Sequence, residues 1–257
     1  MTIDNNPQNW KELQIKVGKI LTQCGFVVSV EKKVQSIRSQ IEIDVYAEES
    51  IDDRPYKILI ECKMWKSNIP QLYVHGLRTV VSDIGANIGY IITTSEFQKG
   101  AIESIKNTNV ELITWSEFQK KFFKSWYLNF FSKKLHFDIL KNNYDHTSIQ
   151  FYDDYDKIKK QDFNALIEKY NLLNLISDHF PHHIMKEFTD QLKDIENRLP
   201  LEEKLITEEW EYNLDLLPKE LLKVESYSQF LNLLRTFAQP VYSEMDKLDL
   251  NSNLDYG

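Results

Sequence analysis

Two carboxylates and a lysine stand in neighbouring strand-like runs of the sequence. The run IEIDVYAE at 41–48 alternates apolar and polar residues, which places Glu42 and Asp44 on one face of a strand. In YKILIECKMW at 56–65, the same alternation places Glu61 and Lys63 on one face, about 6 to 7 Å apart along the strand. If the two strands pair with matching faces, Asp44, Glu61 and Lys63 converge at one place on the sheet.

Such a set of side chains has the composition of a magnesium site for phosphodiester cleavage. Carboxylate oxygens are the hard ligands that hold Mg²⁺, the bound cation acidifies a water molecule, and a lysine orients or deprotonates that water. The structural alternative is a solvated sheet face on which Glu61 and Lys63 form an ion pair worth about a kcal/mol or less. The chemical interpretation gains support because these two charges interrupt an apolar run, where unpaired charges are costly to bury.

The elements around these residues predict an α/β domain over residues 1–120. Helical periodicity predicts one helix over 8–24, stopped by Gly25, and another from Pro70 to about Ile84, stopped by Gly85. Ser95 and Gln98 form a capping-box pattern for a third helix, and the same letters, SEFQK, recur at 116–120 before a fourth. Strand patterns lie at 26–34, 41–48, 56–65, 89–94 and 110–115. This order predicts a mixed sheet flanked by helices.

The second half, residues 121–257, shows no convincing strand pattern and predicts an all-α domain. Helical spacing recurs over 163–180, 182–199 and 227–242. This half carries 17 Lys and Arg against 24 Asp and Glu, a net charge of −7, whereas residues 1–120 carry 14 against 15, a net charge of −1. The overall charge of −8 argues weakly against a protein that coats nucleic acid, and its acidity belongs to the second half.

Composition indicates a chain of 257 residues that folds without covalent or metal staples. The two cysteines, Cys24 and Cys62, lack a CxxC partner, which favours a reducing compartment. The N-terminus MTIDNNPQNW is polar, and no uncharged run approaches the roughly 18 residues that a membrane span requires. We therefore expect a cytoplasmic protein with no membrane partner.

The ordered set of motifs resembles a known nuclease family. IEIDVYA followed by ILIECKMWK, with a helix before them and a helix and GYIITTSEFQKGA after them, resembles the PD-(D/E)XK nuclease superfamily, specifically its Mrr-like restriction endonucleases. The resemblance covers about residues 8–120. It implies a restriction-endonuclease-like fold in which Asp44 is the motif aspartate, Glu61 the second metal-binding carboxylate and Lys63 the motif lysine.

The resemblance also implies an activity. The expected enzyme is a Mg²⁺-dependent endonuclease that hydrolyses the DNA backbone, with Mn²⁺ able to substitute, and that serves restriction or antiphage defence. The helical domain is then expected to contact a partner, either a second copy in a homodimer or another protein of a defence system, or to regulate the nuclease.

The sequence departs from the family pattern on its first helix. Many relatives carry a glutamate there that assists metal binding through water, whereas this chain has Gln14. Candidate helpers are Glu12, about 200° from Gln14 around the helix, and Glu42, on the face of the motif aspartate. Gln71 and His75, one helical turn apart, are candidates for contact with the substrate phosphate, although an ordinary exposed helix face is the favoured interpretation for both.

Two other functions stay open at this point. The glutamine on the first helix keeps open a catalytically inactive nuclease-like subunit that binds nucleic acid or protein. A nuclease selective for junctions or RNA is the other alternative.

Overall fold

The computed structural model describes residues 2–37, 39–140, 157–184, 192, 194–205 and 213–252. The chain divides into an N-terminal unit, residues 2–129, and a C-terminal unit, residues 130–257. The domain boundary suggested by the sequence, residue 120, falls inside the helix Trp115–Trp126.

One mixed sheet of five strands forms the centre of the N-terminal unit. The strands lie in chain order across the sheet, with the first three antiparallel and the last two added in parallel. They are β1 (Val27–Gln35), β2 (Gln40–Ile51), β3 (Arg54–Lys63), β4 (Ile88–Thr93) and β5 (Val110–Thr114). All five correspond to strand patterns in the sequence.

Helices cover both faces of this sheet. They are α1 (Trp10–Cys24), α2 (Gln71–Ile84), α3 (Lys99–Ser104) and α4 (Trp115–Trp126). Helix α1 packs with α4, and α2 packs with α3. Tyr90 of β4 contacts Phe122 of α4, whereas the next residue, Ile91, shares a core cluster with Val74 of α2. Because successive side chains of a strand point to opposite faces, the two helix pairs cover opposite faces.

The ends of the helices confirm some sequence signals and correct others. Gly25 and Gly85 end α1 and α2 in the left-handed conformation, with φ of 106° and 66°. The capping box predicted at Ser95 is wrong, because α3 begins after Gln98 and has no side-chain cap. The Ser95 hydroxyl instead donates a hydrogen bond to the Ser67 carbonyl oxygen. The capping box of α4 is formed by Thr114 and Glu117, so the second SEFQK lies inside the helix rather than at its cap.

The predicted alternation of β2 does not hold along its whole length. Ile43 packs in the core cluster on the α2 side, together with Tyr46, whereas Val45 lies close to Gly18 of α1. Ile43 and Val45 therefore do not share one face as the simple alternation predicts. The irregularity is centred on Asp44.

The described part of the C-terminal unit is helical. Its core contains a cluster of aromatic rings formed by Phe131, Phe180, Tyr227 and Phe230. Its α-helices are α5 (Lys157–His179), α6 (Lys219–Lys223) and α7 (Tyr227–Ser252), and 3₁₀ turns lie at Ile195–Asn197, Leu201–Glu203 and Leu214–Leu216. Two π-helical turns, Tyr127–Phe131 and Lys134–Ile139, follow α4.

These elements confirm the predicted fold class, a mixed sheet flanked by helices and followed by a helical region. The predicted helices at 163–180 and 227–242 correspond to α5 and α7. The predicted helix at 182–199 lies partly outside the described residues, and its described C-terminal part contains only a 3₁₀ turn. Among the described residues, no helix is long and apolar enough to cross a membrane.

Candidate active site

Asp44 lies where β2 and β3 separate. The ladder of paired residues between these strands ends at Val45 and Ile60. Beyond this pair, the backbone N–H of Cys62 donates a hydrogen bond to the Asp44 carboxylate Oδ2 over 2.7 Å. The Asp44 carboxylate thus accepts a hydrogen bond from a backbone N–H that has no partner in the ladder between β2 and β3. This hydrogen bond holds the carboxylate beside β3.

Glu61 and Lys63 lie next to this carboxylate on β3. The Lys63 ammonium forms an ion pair with the Glu61 carboxylate, and both side chains are partly buried. Burial raises the pKa of Glu61, and the negative charge of Asp44 raises it further, although the hydrogen bond from Lys63 opposes both effects. The predicted convergence of Asp44, Glu61 and Lys63 is therefore present in the structure.

Lys63 is a cation in this environment. Burial acts to lower the pKa of Lys63, but the hydrogen bond to Glu61 and the negative charges of Glu61 and Asp44 outweigh burial and raise it. The ammonium also lies 5.3 Å from the ring centroid of Tyr73, within the range of a cation–π contact. In the absence of a metal ion, Lys63 is thus protonated at neutral pH.

The two carboxylates fit the ligand preferences of Mg²⁺. Cys62 uses one oxygen of Asp44 and Lys63 uses one oxygen of Glu61, so each carboxylate has a second oxygen to offer. Mg²⁺ is usually bound by one or two carboxylates while water and substrate phosphate complete its octahedron. The described residues contain no cluster of three or more His, Cys, Asp or Glu side chains suited to a metal. A cation held by these two carboxylates would need water or substrate to complete its coordination.

The structure does not bring the candidate helpers on α1 into this set of contacts. Glu12 accepts a hydrogen bond from the Gln8 backbone N–H over 2.8 Å and pairs with Lys16, so it stabilises the start of α1. That backbone hydrogen bond lowers the pKa of Glu12, which keeps its carboxylate ionised. Gln14 is only 1% exposed, and within the described part of the chain its Oε1 has no hydrogen-bond partner.

The remaining candidates lie at the surface. Glu42 is exposed and stands opposite Lys33 of β1.

Gln71 and His75 are exposed in the first two turns of α2 and hydrogen-bond each other over 2.9 Å. His75 also lines an open polar groove of about 690 Å³, together with Arg78. The structure therefore places Gln71 and His75 on the helix that carries Tyr73, but pairs them with each other.

Sequence reasoning missed Tyr73 of α2 beside Lys63. Tyr73 contacts both the Lys63 ammonium and the ring of Trp65. No periodicity signals this contact, because it joins the end of β3 to α2 across a connecting loop. The Cys62 backbone N–H was also missed, since main-chain donors leave no trace in the residue type.

Comparison with known proteins gives a match within the N-terminal unit. Residues 6–122 match the restriction endonuclease family model Mrr_cat. No curated protein matches the chain.

Among the solved structures that are similar to part of the chain are the following three. A protein of unknown function, AF1548, is 24% identical with a TM-score of 0.38, covering 42% of this chain and 59% of that one. The DNA modification-dependent restriction endonuclease AspBHI is 13% identical with a TM-score of 0.33, and the match covers 45% of this chain and 30% of that one. The MspJI restriction endonuclease, solved with a 27-mer oligonucleotide, is 14% identical with a TM-score of 0.32, and the match covers 48% of this chain and 28% of that one.

This chain therefore spans less than two thirds of the length of each of these structures. The resemblance of the sequence to Mrr-like restriction endonucleases is confirmed by the family match. Residues 6–122 are thus similar to the Mrr_cat restriction endonuclease family.

Proposed function

We propose that this protein is a Mg²⁺-dependent endodeoxyribonuclease that hydrolyses phosphodiester bonds of DNA, with Mn²⁺ able to replace Mg²⁺. The observation that carries the proposal is the position of Asp44. Its carboxylate is fixed by the Cys62 N–H beside Glu61 and Lys63, within the residues that match a restriction endonuclease family. Asp44, Glu61 and Lys63 are the proposed catalytic residues.

Each side chain has a distinct role in the proposed reaction. Asp44 and Glu61 would hold the cation through the carboxylate oxygens that Cys62 and Lys63 leave available. A bound Mg²⁺ supplies a Lewis acid that lowers the pKa of water and neutralises phosphate charge. The Lys63 ammonium stabilises the negative charge that develops on the scissile phosphate.

The proposed cellular setting is restriction or antiphage defence in the cytoplasm. Its support is the relationship to restriction endonucleases. We propose that the acidic helical half contacts a protein, either a second copy of the chain or a defence partner, because its net charge disfavours contact with DNA.

A catalytically silent nuclease-like scaffold is the second candidate function. It is favoured by Gln14, an amide where many relatives have an acid, and by the ion pair of Lys63 with Glu61, which stabilises the fold whether or not a reaction occurs. In that case the protein binds nucleic acid or protein without cleaving it.

A substrate panel distinguishes these functions. The purified protein is incubated with plasmid, modified phage DNA, branched junctions and RNA, each with Mg²⁺, Mn²⁺ or EDTA. We expect nicking of DNA in both metals and none in EDTA. Preferential cleavage of RNA would contradict the proposed substrate, and binding without cleavage under every condition would establish the scaffold.

A further inference from the structure

An aromatic pair lies directly beside the proposed catalytic lysine. Trp65, two residues after Lys63, packs perpendicular to Tyr73 of α2, with ring centroids 4.9 Å apart and planes at 89°. The Tyr73 ring in turn lies 5.3 Å from the Lys63 ammonium. A continuous set of contacts therefore joins Glu61 to Trp65 through Lys63 and Tyr73.

The indole of Trp65 has an aromatic face that Tyr73 does not cover. In a perpendicular pair the edge of one ring meets the face of the other, so Tyr73 covers at most one face of the indole. Trp65 is 36% exposed, and the next residue, Lys66, is exposed as well. An exposed aromatic residue next to a lysine in the sequence is a combination with which proteins bind single strands, because bases stack on the ring and the cation attracts phosphate.

The position of Trp65 restricts what kind of DNA it can contact. On the proposed function, upon which this inference rests, the scissile phosphate binds at Lys63, and the bases of the adjoining nucleotides are then the groups nearest to Trp65. A base inside a duplex has both faces covered by its neighbours, so it can stack on a protein ring only after it leaves the helix. An exposed indole at this position therefore suits an unstacked base.

We propose that Trp65 determines substrate specificity by stacking on an unpaired base next to the scissile phosphate. The preferred substrate is then DNA with an unstacked base at the cleavage position, such as a single strand or a duplex with an unpaired nucleotide. Tyr73 is a positioning residue that holds the indole beside Lys63.

Binding measurements with matched variants test this proposal. Trp65→Leu keeps apolar contact with Tyr73 but removes the stacking face, whereas Trp65→Phe keeps a smaller face. Trp10→Leu is the control, because Trp10 is the more exposed indole, at 56%, and lies at the start of α1. In Ca²⁺, we expect Trp65→Leu to lose about tenfold or more in affinity for single-stranded DNA, and much less for a fully paired duplex. Trp65→Phe should lose less, and Trp10→Leu should match the wild type.

A measurement on the wild-type protein supports the same test without depending on the folding of any variant. Single-stranded DNA carrying 5-iodouracil next to the cleavage position is bound in Ca²⁺, irradiated and digested for peptide mapping. We expect the crosslink on the peptide that contains Trp65.

Three outcomes overturn the inference. These are equal affinity of wild type and Trp65→Leu for single strands, an equal loss of affinity on paired duplex, or a crosslink that maps elsewhere. If the wild type still nicks DNA, each of these outcomes contradicts the role of Trp65 but leaves the proposed nuclease function standing. A wild-type protein that neither binds nor cleaves any DNA overturns the proposed function as well.

Discussion

At the scale of single residues, opposed charges define the proposed site. Burial and the negative charge of Asp44 both raise the pKa of Glu61, and only Lys63 offsets them. A second cation placed between the carboxylates would relieve the same repulsion. The arrangement therefore suits a site that gains stability when a divalent ion binds.

The contribution of Lys63 is expected in the transition state rather than in DNA binding. Lys63→Ala should reduce cleavage in Mg²⁺ by about 100-fold or more, the scale of an electrostatic or acid–base group. DNA affinity in Ca²⁺ should fall by less than about tenfold, because one phosphate contact among several is lost. Lys57→Ala, at the other end of β3, is the control. Equal cleavage by wild type and Lys63→Ala would remove Lys63 from the mechanism.

Gln14 offers a test of whether its amide serves the fold or the reaction. Its Oε1 is buried without a hydrogen-bond partner in the described part of the chain, and such an atom carries a desolvation cost of about 1–3 kcal/mol. Gln14→Leu should therefore leave the free energy of unfolding unchanged or raise it, as measured by urea denaturation. We also expect unchanged cleavage, and a loss of cleavage with intact stability would instead show that Gln14 assists the metal site.

The buried histidine of the C-terminal unit predicts a pH dependence of stability. His136 lies between Ser177 and Phe180, and burial together with the charges of His182 and His183 lowers the pKa of His136 to about 4. An unfolded histidine titrates near pH 6.5, so below that pH the unfolded chain binds a proton that the folded chain rejects. The burial of neutral His136 therefore makes its full contribution to the free energy of unfolding above about pH 6.5. That contribution is lost as the pH falls towards 4.

Melting temperatures measured across this window check the effect. His136→Gln should lose less stability than the wild type between pH 6.5 and 4, because its side chain does not titrate. Identical pH dependence in the two proteins would contradict the assignment of this effect to His136.

At the scale of elements, local signals in the sequence predict most of the N-terminal unit. Gly25 and Gly85 mark the ends of two helices because the left-handed conformation they adopt favours glycine. The cap of α4 is less predictable, since Thr114 with Glu117 and Ser116 with Gln119 both fit a capping-box pattern, and the structure uses Thr114. The separation of β2 from β3 at Asp44 is not local at all, since it depends on a backbone donor 18 residues away.

The packing of α2 against β4 is tested by two glycines. A Cβ at Gly89 would lie 2.6 Å from Val81 Cγ2 and 3.2 Å from Leu77 Cδ2, so Gly89→Ala must displace these buried side chains or α2 itself. We expect the free energy of unfolding to fall by about 1–3 kcal/mol. A Cβ at Gly76, within α2, would meet nothing within 4 Å. Gly76→Ala should therefore raise the free energy of unfolding by about 0.5–1 kcal/mol. Equal effects of the two changes in chemical denaturation would contradict this close packing.

At the scale of the whole molecule, charge separates the two halves. Residues 121–257 carry 17 basic against 24 acidic residues, whereas residues 1–120 carry 14 against 15. A fragment of residues 1–129 should therefore bind DNA at least as tightly as the full chain at equal salt. The measurement is fluorescence anisotropy, with circular dichroism and gel filtration as controls for folding and monodispersity. Loss of DNA binding by a folded, monodisperse fragment would place the helical unit in the substrate site.

The central claim is that Asp44 and Glu61 hold the cation that drives cleavage of DNA. The most direct measurement is plasmid nicking in Mg²⁺ by wild type, Asp44→Asn and Glu61→Gln, beside the control Glu48→Gln. Glu48 lies further along β2 and accepts a hydrogen bond from the Tyr46 hydroxyl. We predict that Asp44→Asn and Glu61→Gln abolish nicking and retain the melting temperature of the wild type, while Glu48→Gln keeps the activity. Nicking by Asp44→Asn and Glu61→Gln at the wild-type rate would contradict the claim.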